Sequence, residues 1–363
     1  MACDRCEESR EAGYAFCMHC GEPLDDCPEC DASREKGYDF CPTCGRRLTA
    51  PDLGRRSPYR TIIAVGAAIL AILLISEAVA LVAGAPSVWS WAEDVAVSIL
   101  VLKPELYIAG YISGLALQVF WVIQVVVLLV CLIILFRQTL PALRAPRREI
   151  LDRLEDTPLY WMAMVLCATL VLNVVCALPS MGSSLDVDNP IGFVPDALYA
   201  YANAAVWEEV ITRIAFIGVP MAIMAACHLR KDFWRYLLGG FGMSRLAIVL
   251  IFASALVFGF AHMSGWGLWK VLPTFISGIA LGYLYVRFGI HVSIMMHFAI
   301  DYMAVLLDGA MLTIVGMIMF AMLLIGIVCI MEIAKRLWTS RSALREMPAI
   351  MPPDQESIFS RRE

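Results

Sequence analysis

The chain has 363 residues, 60% of them hydrophobic and 17% charged, with a formal net charge of −5. Soluble domains sit near 45–50% apolar and about 25% charged, so one large water-soluble core is excluded and a polytopic membrane protein is expected. The small negative charge argues against a nucleic-acid partner.

The first fifty residues are polar and hold eight of the 13 cysteines in four Cys-x-x-Cys pairs. Cys3 and Cys6 precede Cys17 and Cys20, and the unit recurs with an offset of 24 residues as Cys27, Cys30, Cys41 and Cys44. Flanking residues repeat in the same register: Ser9-Arg10-Glu11 with Ser33-Arg34-Glu35, Gly13-Tyr14 with Gly37-Tyr38, and Phe16 with Phe40. Each unit is too short to bury a core, so something must staple it. Four thiolates on two knuckles suit the tetrahedral preference of zinc. The glycines after the second knuckles, Gly21 and Gly45, let backbone amides turn toward the sulfurs. The pattern resembles the double zinc-ribbon module, which implies two structural zinc ions. Disulfide-linked knuckles are the competing reading; no signal-peptide pattern precedes the first apolar run, which favours reduced thiols and metal. The repeat points to ligands within each unit, although Cys17 and Cys20 could also share an ion with Cys27 and Cys30.

Residues 1–50 carry eleven acidic against six basic side chains, the wrong sign for phosphate. The module is expected to regulate the chain or engage a cytosolic protein, with a passive cap as the bland alternative. The other five cysteines, Cys131, Cys167, Cys176, Cys227 and Cys329, sit in apolar stretches and read as small buried hydrophobes.

A basic linker over 51–60 follows. A membrane span needs about 20 apolar residues, and candidates lie near 61–83, 111–136, 159–178, 198–225, 245–263, 270–287, 290–308 and 311–332. Between the first two, residues 85–110 contain Trp89, Trp91, Glu93, Asp94, Lys103 and Glu105 and read as interfacial. Eight spans put both termini on one side, with the first span acting as signal anchor. Arg46, Arg47, Arg55, Arg56, Arg60, Arg137, Arg144, Arg147, Arg148, Arg230, Lys231, Arg235, Arg287, Lys335, Arg336, Arg341 and Arg345 then share one side. By the positive-inside rule that side is cytosolic, and the acidic loop 179–197 with Asp186, Asp188 and Asp196 lies outside. Reduced thiols in the ribbons require the same orientation.

Three clusters interrupt the apolar spans: Glu208-Glu209-x-x-x-Arg213, Phe258-x-x-x-His262 and His297-x-x-x-Asp301. An ionisable group in hydrocarbon costs about 2.5–3.5 kcal/mol on insertion scales and usually marks function. Residues four apart share a helical face. Glu209 and Arg213 therefore pair, while Glu208 points elsewhere and keeps its carboxylate free. Asp301 can hold one nitrogen of His297, and Phe258 packs beneath His262. His228 and His291 fall at helix ends and read as interfacial, His19 as a surface residue, and Glu77 as isolated.

These three motifs resemble the CAAX prenyl protease and bacteriocin-processing family of intramembrane endopeptidases, over roughly residues 155–310. The resemblance implies that Glu208 acts with His262 to polarise the attacking water and that Glu209 with Arg213 positions that carboxylate. It further implies that His297 and Asp301 stabilise the tetrahedral intermediate. Two positions depart from the family pattern: Asp301 where relatives commonly carry Asn, and Ile214 where many carry Gly. A catalytic zinc on Glu208, His262, His297 and Asp301 stays open beside a metal-free glutamate mechanism.

The expected protein is thus an all-α polytopic membrane protein of about eight transmembrane helices with a small N-terminal zinc-ribbon region. Its parts are a cytosolic double ribbon (1–50), the linker, accessory helices (61–154), an intramembrane protease core (155–310), a last span (311–332) and a cytosolic tail (333–363). The expected activity is peptide-bond hydrolysis inside the cell membrane, on a peptide or protein substrate that is lipidated or membrane-embedded. A non-proteolytic scaffold recruiting a cytosolic partner through its ribbons is the alternative.

Overall fold

The computed structural model describes residues 58–102, 106–147, 149–178, 192–228, 233–307, 311–340 and 347–350. The eight ribbon cysteines and His19 lie outside them. So do Arg46, Arg47, Arg55, Arg56, Lys103, Glu105, Arg148, Asp186, Asp188, Arg230, Lys231, Arg341 and Arg345.

The described chain is a helical membrane bundle. Helix α1 spans Arg60–Asp94 and leads into an antiparallel hairpin of β1, Ala96–Leu102, and β2, Leu106–Ser113. Helices α2 (Gly114–Leu143), α3 (Ile150–Glu155) and α4 (Pro158–Ala177) follow. Then come α5 (Pro195–Cys227), α6 (Phe233–Leu238), α7 (Arg245–Trp266), α8 (Leu268–Phe288), α9 (Ile290–Leu306) and α10 (Met311–Thr339). Seven of these, all but α3, α6 and α9, are long and apolar enough to cross a membrane; α9 is apolar but shorter.

The long helices are apolar on every side, as helices solvated by lipid must be. On α1, Ile63, Leu70, Leu74 and Leu81 are buried while Ile62, Ile72, Val79 and Val82 are exposed. Helix α9 differs. Every residue from Val292 to Ala299 is buried, so it runs through the middle of the bundle.

Close approach of backbones sets the packing. A Cβ added to Gly278 on α8 would lie 2.9 Å from the Cα of Ala255 on α7, and one on Gly326 of α10 would lie 2.2 Å from the Cys167 carbonyl oxygen of α4. Small residues at such contacts are how helices associate where no hydrophobic effect separates them from lipid. Between α8 and α9 the chain turns at Gly289 with φ of 110°, a conformation that L side chains resist.

Charge gathers at one end. Arg60 pairs with Asp152, and Arg336 pairs with Glu155 and with Glu332, the latter at 2.7 Å. The Arg287 guanidinium lies 3.6 Å above the Trp161 ring, and that of Arg336 lies 4.8 Å from the same ring. The start of α1, the segment before α4, and the ends of α8 and α10 therefore share one end of the bundle.

Three expectations need correction. The first span does not stop near residue 83: α1 has 35 residues, about 52 Å at 1.5 Å per residue, longer than a hydrocarbon core. The stretch 85–110, read as interfacial and not spanning, is divided between the end of α1, which runs to Asp94, and a two-stranded hairpin over 96–113, whose β-branched and aromatic residues favour strands. Finally, Cys131, Cys167 and Cys329 are buried as expected, but Cys176 is only partly buried and Cys227 is exposed.

Candidate active site

Helices α5, α7 and α9 each contribute a stripe of residues four apart. On α5 the backbone takes wider, π-type turns over Ala204–Glu208 and Val210–Gly218, a local form often found at functional sites. Glu209 and Arg213 nevertheless meet, with Arg213 Nε donating to Glu209 Oε2 at 3.1 Å and both side chains fully buried. Arg213 Nη1 donates to Ser254 Oγ on α7 at 2.8 Å, and the Ser254 hydroxyl donates to the Thr212 carbonyl at 2.7 Å. The guanidinium also lies 5.2 Å from the Phe258 ring centroid.

The outer oxygens of Glu209 turn toward α9. The Ser293 hydroxyl donates to Oε2, and His297 Nδ1 lies 2.9 Å from Oε1. Because the ion-paired carboxylate accepts only, the proton of this bond sits on His297 Nδ1. The family pattern implied that Glu209 and Arg213 position Glu208. In the structure the Glu209 carboxylate contacts Arg213, Ser293 and His297.

Glu208 faces the two histidines. Its Oε2 lies 3.9 Å from His262 Nε2 and 3.8 Å from His297 Nε2. That oxygen is buried without a protein hydrogen-bond partner among the described residues. His262 Nδ1 lies 2.8 Å from the Phe258 carbonyl, which can only accept, so Nδ1 donates this bond and Nε2 is the nitrogen turned toward Glu208. The Phe258 ring meets that of His262 edge-on, centroids 4.8 Å apart, and that of His297 at 5.9 Å. Asp301 Oδ2 lies 3.2 Å from His297 Nε2.

The side chains divide by access. Glu209 is 0% and His297 7% exposed, whereas Glu208 is 24% and Asp301 28% exposed. The second group opens onto a cavity of 820 Å³ lined by Glu208, Phe258, His262, His297 and Asp301, together with Trp91, Lys270 and three residues of β1. The segment read as accessory thus supplies part of the wall.

A catalytic zinc fits these residues poorly. Both nitrogens of His297 already face carboxylates, Nδ1 of His262 is taken by a carbonyl, and no three His, Cys, Asp or Glu side chains group with metal-binding spacing among the described residues. His228 and His291 stand apart: Nδ1 of the first lies 2.8 Å from the Met224 carbonyl and Nε2 of the second 2.9 Å from Gln138. Glu77 is fully buried with neither oxygen bonded to a described residue.

Sequence reasoning missed Ser254, Ser293, Lys270 and the hairpin. The two serines had a signal: Ser254 precedes Phe258 by four residues, and Ser293 precedes His297 by four, which puts each on the face of a motif residue. Lys270, whose Nζ lies 4.3 Å from the Trp266 ring centroid, had none.

Comparison with known proteins gives two matches. Residues 190–303 match the family model described as type II CAAX prenyl endopeptidase Rce1-like. Residues 3–45 match the double zinc ribbon. No curated protein and no solved structure matches the chain.

Proposed function

We propose that this chain, an intramembrane CAAX-type endopeptidase carrying an N-terminal double zinc ribbon, hydrolyses its peptide bond with a water held between Glu208 and His262. One observation carries the reading: Glu208 Oε2 and His262 Nε2 face each other 3.9 Å apart, and both side chains line the cavity. A water about 2.8 Å from that oxygen and that nitrogen would donate one of its two protons to each partner. Its lone pairs would then point into the cavity.

The chemistry follows from those positions. Glu208 takes the proton as the water oxygen attacks the scissile carbonyl carbon, and the carbonyl π electrons move onto oxygen. His297 is held at Nδ1 by Glu209 and faces Asp301 and Glu208 through Nε2; it is the proton donor placed to stabilise that oxyanion. An ionised Asp301 would repel the oxyanion, so its part is to orient His297 through Nε2 and to give up that proton's bond as the oxyanion forms. On collapse of the intermediate the C–N bond breaks, and Glu208 returns its proton to the leaving amine.

The ribbons hold two zinc ions, one in each Cys-x-x-Cys pair of pairs, on the cytosolic side. The basic end of the bundle faces the same compartment. Residues 155–310 form the catalytic core.

Mass spectrometry of membrane peptides from cells with the wild-type chain and with Glu208→Ala tests the reading. A set of cleaved peptides should disappear in the variant while the protein level holds. An unchanged peptide inventory would sink the assignment. Retained biological function in that variant, with loss on deleting residues 1–50, would favour a scaffold.

A further inference from the structure

Three consecutive residues of β1, Ala96, Val97 and Ser98, line the cavity that holds Glu208, His262, His297 and Asp301. Successive side chains of a strand point to opposite faces, so a cavity against one face meets alternate residues. Three in a row are met when the cavity runs along the strand's edge. The hairpin has such an edge: among the described residues its sheet has two strands, and β1 pairs with β2 alone through Ala96↔Ser113, Val97↔Ile112 and Ser98↔Tyr111.

In an antiparallel pair the N–H and C=O of alternate residues point to the partner, and those of the intervening residues point away. Within Ala96–Ser98 at least one residue therefore turns both backbone groups away from β2. Among the described residues no hydrogen bond besides the hairpin's own engages the backbone of these three.

A peptide entering a bilayer as a helix has its carbonyls bonded within the helix and shielded from attack. Hydrolysis requires a few residues to unwind, and unwound backbone inside a membrane needs new hydrogen-bond partners. An open strand edge beside the reacting groups supplies them, as in other cases where an extended peptide adds to a sheet. Resting on the hydrolytic reading above, we infer that the free edge of β1 receives the substrate residues next to the scissile bond as an added strand. Main-chain bonds to β1 hold the segment extended, and the scissile carbonyl lies toward Glu208. Recognition through backbone groups tolerates varied side chains, so this edge sets substrate conformation more than substrate sequence.

The test uses the full-length Glu208→Gln protein in lipid nanodiscs and a fluorescent prenylated peptide ending in a Cys-aliphatic-aliphatic-X motif. Binding is measured by anisotropy for the parent peptide and for a series with one backbone N-methyl group at each successive position. Cleavage of the parent by the wild-type protein is followed in parallel. Binding should weaken about tenfold at every second position and little at those between, since each methyl removes one donor; a proline at whichever of Ala96, Val97 and Ser98 turns its N–H away from β2 should flatten the alternation. Cleavage without alternation overturns the strand and leaves the hydrolysis. Alternation without cleavage keeps the strand and overturns the hydrolysis. Neither binding nor cleavage overturns both.

Discussion

Arg213 and Glu209 form a charge pair with no exposed surface, and replacing Arg213 by Met is the sharpest probe of the site's construction. The change removes the 3.1 Å bond to Glu209, the 2.8 Å bond to Ser254 and the contact with the Phe258 ring. Glu209 stays behind as a buried carboxylate, supported among the described residues by the Ser293 hydroxyl and His297. Breaking a buried pair from one side costs about 3–5 kcal/mol, because the abandoned charge remains desolvated. In the double variant Glu209→Gln with Arg213→Met no charge is stranded, so about 2 kcal/mol or more of that loss should return. Activity should not return with it. The imidazole of His297 loses its charged acceptor in the double variant, and turnover should stay about tenfold or more below wild type. Unfolding by SDS in bicelles reads the stabilities, and peptide cleavage reads the activity. If the two single changes add to the double within about 0.5 kcal/mol, the residues are uncoupled and the reasoning is refuted.

Glu208→Gln should lower kcat/KM by about 100-fold or more while thermal unfolding stays near wild type, since Oε2 has no protein partner to lose; a large fall in stability would assign Glu208 a packing role. Gly278→Val should destabilise the bundle by about 1–3 kcal/mol, because its Cβ would meet Ala255 Cα at 2.9 Å, whereas Gly316→Val meets nothing within 4 Å and should change stability by less than about 0.5 kcal/mol. Equal effects at the two glycines, measured by thermal unfolding, would remove the argument from close helix packing. Chelation should release about two zinc equivalents per chain from the cysteine pairs, read by elemental analysis, with peptide hydrolysis unchanged. Hydrolysis that falls in step with zinc would place a metal in the reaction.

Several properties of this protein are local in sequence, and for that reason they could be read there. Helices such as Gly114–Leu143 and Met311–Thr339 follow from the need to satisfy backbone groups in hydrocarbon. The pairing of Glu209 with Arg213, and of His297 with Asp301, follows from a spacing of four that survives even the wider turns of α5. The repeat of the cysteine pairs marks the ribbon without help from any neighbour. Tertiary structure alone decided the rest. Which carboxylate serves which histidine depends on Glu209 meeting His297, 88 residues away, and on Arg213 meeting Ser254, 41 residues away. In a soluble helix an apolar stripe tells which side turns inward. Here lipid lets every side be apolar, so the rotation of each helix is silent in its composition and is set by contacts such as Gly278 on Ala255 and Gly326 on Cys167. The hairpin was hidden for the same reason: short β-branched strands amid apolar helices carry no contrast, and only the tertiary structure places β1 on the wall of the cavity that Glu208 and His262 line.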